Sequence, residues 1–175
     1  IVVSPEDDAE IRRMSIANHG REPRTIALTS YAEVVLAPGD ADLAHPAFSN
    51  LFVETVAVPE RDALICSRRP RKGTDRAYLV HLVTGRGKAG GATEYETDRA
   101  RFVGRGRTLE QPAALGTRRP LSNTTGAVLD PVLSLRQAVR IPPGGTARLA
   151  FVTGVADSEP GAPGLTPNYN NRLAW

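Results

Sequence analysis

Hydrophobic and polar residues alternate along most of this chain with a period of two. Successive side chains of a β-strand point to opposite faces, so this period predicts strands with one buried face. The predicted strands are Ile11–Asn18, Thr25–Leu36, Phe48–Val58, Ala63–Ser67, Tyr78–Thr84, Thr93–Val103, Val132–Ile141 and Thr146–Thr153. Because no long helical pattern accompanies these segments, the sequence predicts an all-β fold, an antiparallel β-sandwich.

Turn-forming residues separate the predicted strands. The segment NHG at 18–20 follows the first strand, and we expect the first two strands to form a hairpin. The segment PPGG at 142–145 lies between the last two strands, where proline stops a ladder and glycine permits positive φ. It predicts a second hairpin. A third turn is predicted at 59–62, between Val58 and Ala63.

Two stretches have no regular pattern. Residues 104–125 form a segment longer than most loops, and loops of this length often carry function. Residues 157–175 begin with a part rich in proline and glycine and continue without periodicity. We therefore predict a β-sandwich domain at 1–156 and a linker or irregular C-terminal tail at 157–175.

The composition suits short elements joined by turns. The 175-residue chain contains 16 glycines and 14 prolines. No apolar run approaches the roughly 20 residues that cross a bilayer, and the first residues lack the basic and apolar regions of a signal peptide. We expect a cytoplasmic chain that makes no membrane contact of its own.

The few residues capable of thiol or imidazole chemistry are interpreted as structural. Cys66 is the only cysteine, and its neighbours Leu64 and Ile65 predict a buried thiol. His81 lies in an apolar predicted strand and is expected to be buried there. His45 closes the segment DADLAH at 40–45, whose spacing is weak evidence for a metal site. We expect no metal and no other cofactor.

No catalytic set stands out. No serine lies in a Gly-x-Ser-x-Gly elbow. Glycoside hydrolysis needs a pair of carboxylates across the scissile bond, but nothing in the pattern selects a pair from the available acids Glu54, Glu94, Glu96 and Asp98. The glycine-rich segment 85–91 lacks the spacing of a phosphate-binding loop. We therefore expect no catalytic residue in this chain.

Arginine is the one residue type that suggests a binding site. The net charge is +3, and arginines recur in TDRARFVGRGRTL at 97–109. A guanidinium binds anions and hydroxyl groups well, so Arg101, Arg105 and Arg107 are the candidate ligand-binding residues. Charge on an edge strand that prevents edge-to-edge pairing is the alternative. A second basic cluster, at 68–72, is interpreted as a solvated turn.

Three long runs carry a resemblance to a known family: SPEDDAEIRRMSIANHGREPRTIALTSYAEVVLAPGDADLAHPAFSNLFVET, YETDRARFVGRGRTLEQPAAL and PLSNTTGAVLDPVLSLRQAVRIPPGGTARLAFVTG. The similarity covers roughly residues 1–156, in order. They resemble the N-terminal β-sandwich of cellobiose phosphorylases and cyclic β-1,2-glucan synthases, the glycosyltransferase family 36-like glycoside phosphorylases. The phosphorylase-like part of the synthases is the most similar.

The resemblance implies an antiparallel β-supersandwich of the galactose mutarotase-like type. In that family a separate (α/α) barrel carries the catalytic acid, and phosphate attacks the glycosidic bond. The family's sandwich usually begins before the start of this chain, and it usually continues into a helical linker where this chain has DSEPGAPG. We therefore expect a truncated fragment without independent catalysis, from a parent protein anchored in the inner membrane.

These observations predict a non-catalytic carbohydrate-binding or scaffold domain. Its expected partners are a β-glucan and the catalytic helical barrel of the parent protein. A structural module that forms a homodimer is the alternative. Nucleic-acid binding through the arginines is a further alternative that we do not favour, because no stacking row of aromatic residues accompanies them.

Overall fold

A computed structural model describes residues 1–5, 7–70, 76–86, 91–116 and 119–156. Within these ranges the strands are β1 (Val2–Val3), β2 (Ala9–Ala17), β3 (Arg24–Thr29), β4 (Ala32–Glu33), β5 (Val53–Val58), β6 (Ala63–Arg68), β7 (Tyr78–Arg86), β8 (Glu94–Asp98), β9 (Gly126–Ala127), β10 (Pro131–Ile141) and β11 (Thr146–Ala156). The helices are α1 (Gly39–Ala44), α2 (Pro46–Asn50), α3 (Arg99–Val103) and α4 (Ala113–Gly116). None of the helices in this part of the chain is long and apolar enough to cross a bilayer.

The strands form two antiparallel sheets. The wide sheet has seven strands in the order β1-β2-β11-β7-β6-β5-β9. The narrow sheet is built on β10, which pairs with β3, β4 and β8. The predicted all-β antiparallel sandwich is therefore confirmed.

The core lies between the sheets and comes from alternate residues of both, as the period of two requires. Its buried members are Val53, Leu64, Cys66, Val83, Leu149 and Phe151 from the wide sheet, and Leu133, Leu135, Val139 and Ile141 from β10. Cys66 is fully buried, as predicted, and burial raises the pKa of its thiol to about 12. The thiol is therefore protonated and inert at neutral pH.

Two of the predicted hairpins are wrong. β2 lies in the wide sheet and β3 in the narrow one, and the same holds for β11 and β10. Asn18 lies at this crossing, and its buried side chain donates hydrogen bonds to the backbone oxygens of Glu22 (2.8 Å) and Ile141 (3.1 Å). Both turns therefore dock together where the chain crosses between sheets. The third predicted turn does form a hairpin, since β5 and β6 pair up to Val58 and Ala63.

Three predicted strands are shorter than their alternating pattern. The segment Phe48–Val58 starts with α2, because Pro46 at its first turn has the fixed φ that a helix needs. The segment Thr93–Val103 ends in α3, because the Asp98 carboxylate caps it by accepting a hydrogen bond from the Ala100 amide (2.8 Å). The segment Thr25–Leu36 breaks between β3 and β4.

The wide sheet also carries apolar residues on the face turned away from the narrow sheet. Ala9, Ile11, Ala63, Leu82, Ala150 and Val152 form this second buried cluster. The central strands β7 and β11 are consequently buried on both faces, which accounts for their nearly continuous apolar sequence.

Candidate functional site

The three predicted ligand-binding arginines lie on α3 and in the turn that follows it. Arg101 is exposed and lies 3.5 Å from the Asp98 carboxylate. Arg105 and Arg107 are exposed on either side of Gly106, whose φ of 71° shapes the turn. The Arg107 side chain lies back against Gly104 and Gly116. Ligand binding by these arginines remains a prediction.

The long segment that follows is fixed on β8 by hydrogen bonds. Tyr95 and Asn123 exchange two of them, of 2.8 and 2.9 Å. The Leu121 amide donates to Glu94 Oε2 (2.9 Å), and the Thr97 hydroxyl donates to the Thr124 oxygen (2.8 Å). In its described part, the predicted irregular loop is therefore held on β8 by several hydrogen bonds.

Arg136 in the middle of β10 holds the same segment, and the sequence analysis missed it. Its guanidinium is buried and donates to Glu94 Oε2 (3.3 Å) and to the backbone oxygens of Ala114 (2.6 Å) and Arg119 (3.2 Å). The available signal was a cation in the middle of the mostly apolar sequence of β10, because a charge that is buried there requires partners. Arg136 is therefore structural.

A cleft opens between the two sheets at one edge of the sandwich. We call it the inter-sheet cleft; its volume is about 450 Å³. Its lining residues are Asp8, Glu10, Arg12, Met14, Thr29, Ser30, Tyr31, Ala32, Leu79, His81, Phe151, Thr153, Gly154 and Val155. Both sheets contribute, the narrow one through the break between β3 and β4. Sequence analysis did not identify this cleft.

The floor of the inter-sheet cleft is a hydrogen-bonded chain of three side chains. His81 Nε2 lies 2.8 Å from the Ser30 hydroxyl, and His81 Nδ1 lies 2.8 Å from the Thr153 hydroxyl. Ser30 also accepts from the Leu135 amide (3.0 Å) and so is tied to β10. This chain joins the two sheets and confirms that His81 is a buried, satisfied histidine.

Burial determines the charge of His81. The ring is 3% exposed, and burial together with the nearby Arg12 guanidinium lowers its pKa from 6.5 to about 4. At neutral pH the imidazole is uncharged, with one nitrogen able to donate and the other to accept. Its ring is stacked on Phe151, with 5.9 Å between the centroids.

The rim of the inter-sheet cleft is charged and partly exposed. Glu10 and Arg12 form an ion pair, and Asp8 is exposed beside them. On the opposite side, the Tyr31 hydroxyl donates to Glu33 Oε1 (3.1 Å). Burial and this hydrogen bond raise the pKa of Tyr31 to about 12, so the phenol stays protonated. The rim thus offers carboxylates, a guanidinium and a phenol.

A second concave surface surrounds the short helices. A cavity of about 530 Å³ is lined by apolar side chains, among them Leu36, Ala44 and Phe48, with Arg68 and Arg69 at its edge. Part of the predicted basic cluster at 68–72 falls here, while residues 71 and 72 lie outside the described residues. Among the described residues, no group of three or more His, Cys, Asp or Glu side chains could hold a metal ion.

Comparison with known proteins agrees with this architecture. Residues 1–172 match the family described as glycosyl hydrolase 94, supersandwich domain. The chain is also similar to the cyclic beta-(1,2)-glucan synthase NdvB of Rhizobium meliloti (strain 1021), with 42% identity over 171 residues. That match covers 97% of this chain and 6% of the relative, so the chain spans a small part of its relative's length. The chain belongs to the family of glycosyl hydrolase 94 supersandwich domains.

Proposed function

We propose that this sandwich is a non-catalytic, carbohydrate-associated domain of a cyclic β-1,2-glucan synthase-like protein. In this proposal it supports a separate (α/α) catalytic barrel of the parent polypeptide. The observation that carries the proposal is the similarity of nearly the whole chain to a segment of a cyclic beta-(1,2)-glucan synthase, which makes up 6% of that protein's length. The family concerned is one of supersandwich domains rather than catalytic domains.

The hydrogen bonds of four buried or half-buried ionisable side chains support a non-catalytic role. Glu94 and Arg136 hold the segment after α3, and His81 joins the two sheets. Glu96 accepts hydrogen bonds from the amides of Thr97 (3.0 Å) and Asp98 (3.1 Å). These four ionisable side chains are therefore engaged in hydrogen bonds that hold the fold together.

Turnover assays test the proposal. The purified chain is incubated with β-1,2-glucan and inorganic phosphate, and we expect no release of glucose 1-phosphate. The chain joined to the helical part of its parent serves as the comparison under the same conditions. Titration calorimetry of the chain with β-1,2-gluco-oligosaccharides should show weak binding, with a Kd of about 1 mM or about −4 kcal/mol. Product formation by the chain alone would contradict the proposal.

A structural role without a sugar ligand is the second candidate, and an exposed apolar surface favours it. Five large apolar side chains around α1 and α2 are more than half exposed: Val35, Leu43, Phe48, Leu51 and Leu129. Apolar patches of this kind often mark protein contacts. A second copy of the chain on this surface would raise the mass in solution above the 18.7 kDa of one copy.

A further inference from the structure

We propose that the inter-sheet cleft binds a glucosyl unit of a neutral β-glucan. This inference rests on the carbohydrate-associated function proposed above and assigns it a place in the fold. The cleft, at about 450 Å³, falls in the usual range for small-molecule sites. Its lining combines hydroxyl, carboxylate and guanidinium groups with an apolar wall.

The register of the wide sheet places polar residues where a sandwich normally has core. Glu10 pairs with Thr153, and Thr153 pairs with His81, so the three form one row across β2, β11 and β7. The next inward row consists of Arg12, Phe151 and Val83. Inward positions on three adjacent strands ordinarily carry apolar side chains. This polar row therefore indicates a ligand-facing surface as well as a link between the sheets.

Two of the polar side chains of the cleft are held in place before any ligand arrives. Glu10 is oriented by its ion pair with Arg12, and Thr153 is oriented by its hydrogen bond to His81. At Asp8 the backbone is fixed, because its oxygen accepts a hydrogen bond from the Val155 amide (2.9 Å), and the exposed carboxylate extends from this fixed point. Groups fixed in this way lose little conformational entropy when they bind sugar hydroxyls.

Apolar side chains lie beside the polar row and suit the carbon face of a sugar ring. Met14, Leu79 and Phe151 line the wide-sheet side of the cleft, and Ala32 lines the narrow-sheet side. A pyranose has hydroxyls at its edge and C–H groups on its faces, so it needs both kinds of contact. Specific small-molecule sites show the same mixture of apolar lining and few polar groups.

The charges of the cleft favour a neutral ligand over an anion. Asp8 and Glu10 supply two carboxylates, Arg12 supplies one cation, and His81 is uncharged at neutral pH because its pKa is about 4. A phosphate group would meet a net negative site. Carboxylates accept hydrogen bonds from sugar hydroxyls, and such charge-assisted bonds are the strong ones.

Nuclear magnetic resonance titration of the labelled chain with β-1,2-linked glucotriose tests the assignment. At up to about 20 mM sugar, well above the expected Kd, we expect amide shifts at Glu10, Ser30 and Thr153. The double variant Asp8→Asn, Glu10→Gln should raise the Kd about tenfold, because charge-assisted hydrogen bonds become neutral ones. The matched control Glu22→Gln, Glu60→Gln alters two exposed carboxylates outside the cleft and should leave the Kd unchanged.

The outcomes separate this inference from the proposed function. If the wild type binds the sugar but the amide shifts are confined to Arg101, Arg105 and Arg107, the assignment of the site to the inter-sheet cleft is wrong. The proposal of a carbohydrate-binding domain would then still stand. Equal Kd values for the cleft variant and its control would likewise contradict the assignment to the cleft but not the proposed function. Absence of any binding at 20 mM, roughly the upper limit of the titration, would overturn the inference and leave only the scaffold role. Amide shifts at the cleft with inorganic phosphate but not with sugar would contradict the inference that the ligand is neutral.

Discussion

His81 is an imidazole buried between two sheets and hydrogen-bonded to Ser30 and Thr153. In the unfolded chain it takes up a proton near its ordinary pKa of 6.5, whereas in the folded chain it does so only near pH 4. Protons therefore favour the unfolded state in this interval. The contribution of His81 to stability is complete above about pH 6.5 and is lost as the pH falls toward 4.

We expect the free energy of unfolding to fall by up to about 3 kcal/mol between these two pH values through His81. Urea unfolding of the wild type at several pH values measures the change. The variant His81→Gln should lose this part of the pH dependence. The control His19→Gln, at an exposed position, should keep the wild-type dependence. An unchanged dependence in His81→Gln would contradict the assignment.

Arg136→Met should destabilise the fold by about 3 kcal/mol, because it removes the donor to two backbone oxygens and one of the two donors to Glu94 Oε2. Hydrogen exchange should quicken at the amides of Leu121 and Asn123, which lie in the held segment. The control Arg140→Met changes an exposed arginine on the same strand and should cost little. Equal losses in the two variants would show that Arg136 has no special role.

At the residue scale, the sequence predicts the burial of a side chain where its neighbours along the chain are apolar. It does not predict which side chains are brought together by the pairing of distant strands. Cys66 and His81 stand among apolar neighbours, so their burial could be predicted. The row of Glu10, Thr153 and His81 is assembled from strands far apart in the chain. Nothing in the neighbourhood of Glu10 along the sequence indicates that it faces inward beside the other two.

At the scale of elements, alternation predicts which residues face inward but not which sheet a strand joins. β10 and β11 were correctly predicted as strands, but their partners are β3, β4 and β8 in one case and β2 and β7 in the other. At the crossing between the sheets, the two turns are joined by Asn18, a single buried side chain. A short polar residue two positions before a glycine looks the same in any turn.

Asn18→Ala should therefore cost about 2 kcal/mol or more, since the Asn18 side chain bonds the backbone of both crossing turns. Urea unfolding gives the change in the free energy of unfolding. Asn50→Ala removes one side-chain hydrogen bond, to Asp130 (3.2 Å), and should cost less than about 1 kcal/mol. A larger loss for Asn50→Ala than for Asn18→Ala would contradict this interpretation.

At the scale of the whole molecule, the apolar surface around α1 and α2 should affect association. Leu43 is 86% exposed and Phe48 is 51% exposed. We expect the isolated chain to associate at high concentration, with a mass by light scattering above the 18.7 kDa of one copy. The double variant Leu43→Ser, Phe48→Ser should return it to one copy.

A matched control separates that surface from exposed apolar residues in general. Val56 on β5 is 56% exposed and lies outside the two helices. Val56→Ser should leave the association unchanged. A wild type that stays at one copy at high concentration would argue against the dimer-forming alternative.

The crossing at Asn18 has a consequence for how the domain is made. The Asn18 side chain bonds the oxygen of Ile141, 123 positions later in the chain. Likewise, β2 pairs with β11, which ends at Ala156, so this pairing cannot form until β11 has been synthesised. During synthesis the ribosome must therefore release almost the entire segment before either sheet can close, so the early strands need protection from aggregation until then.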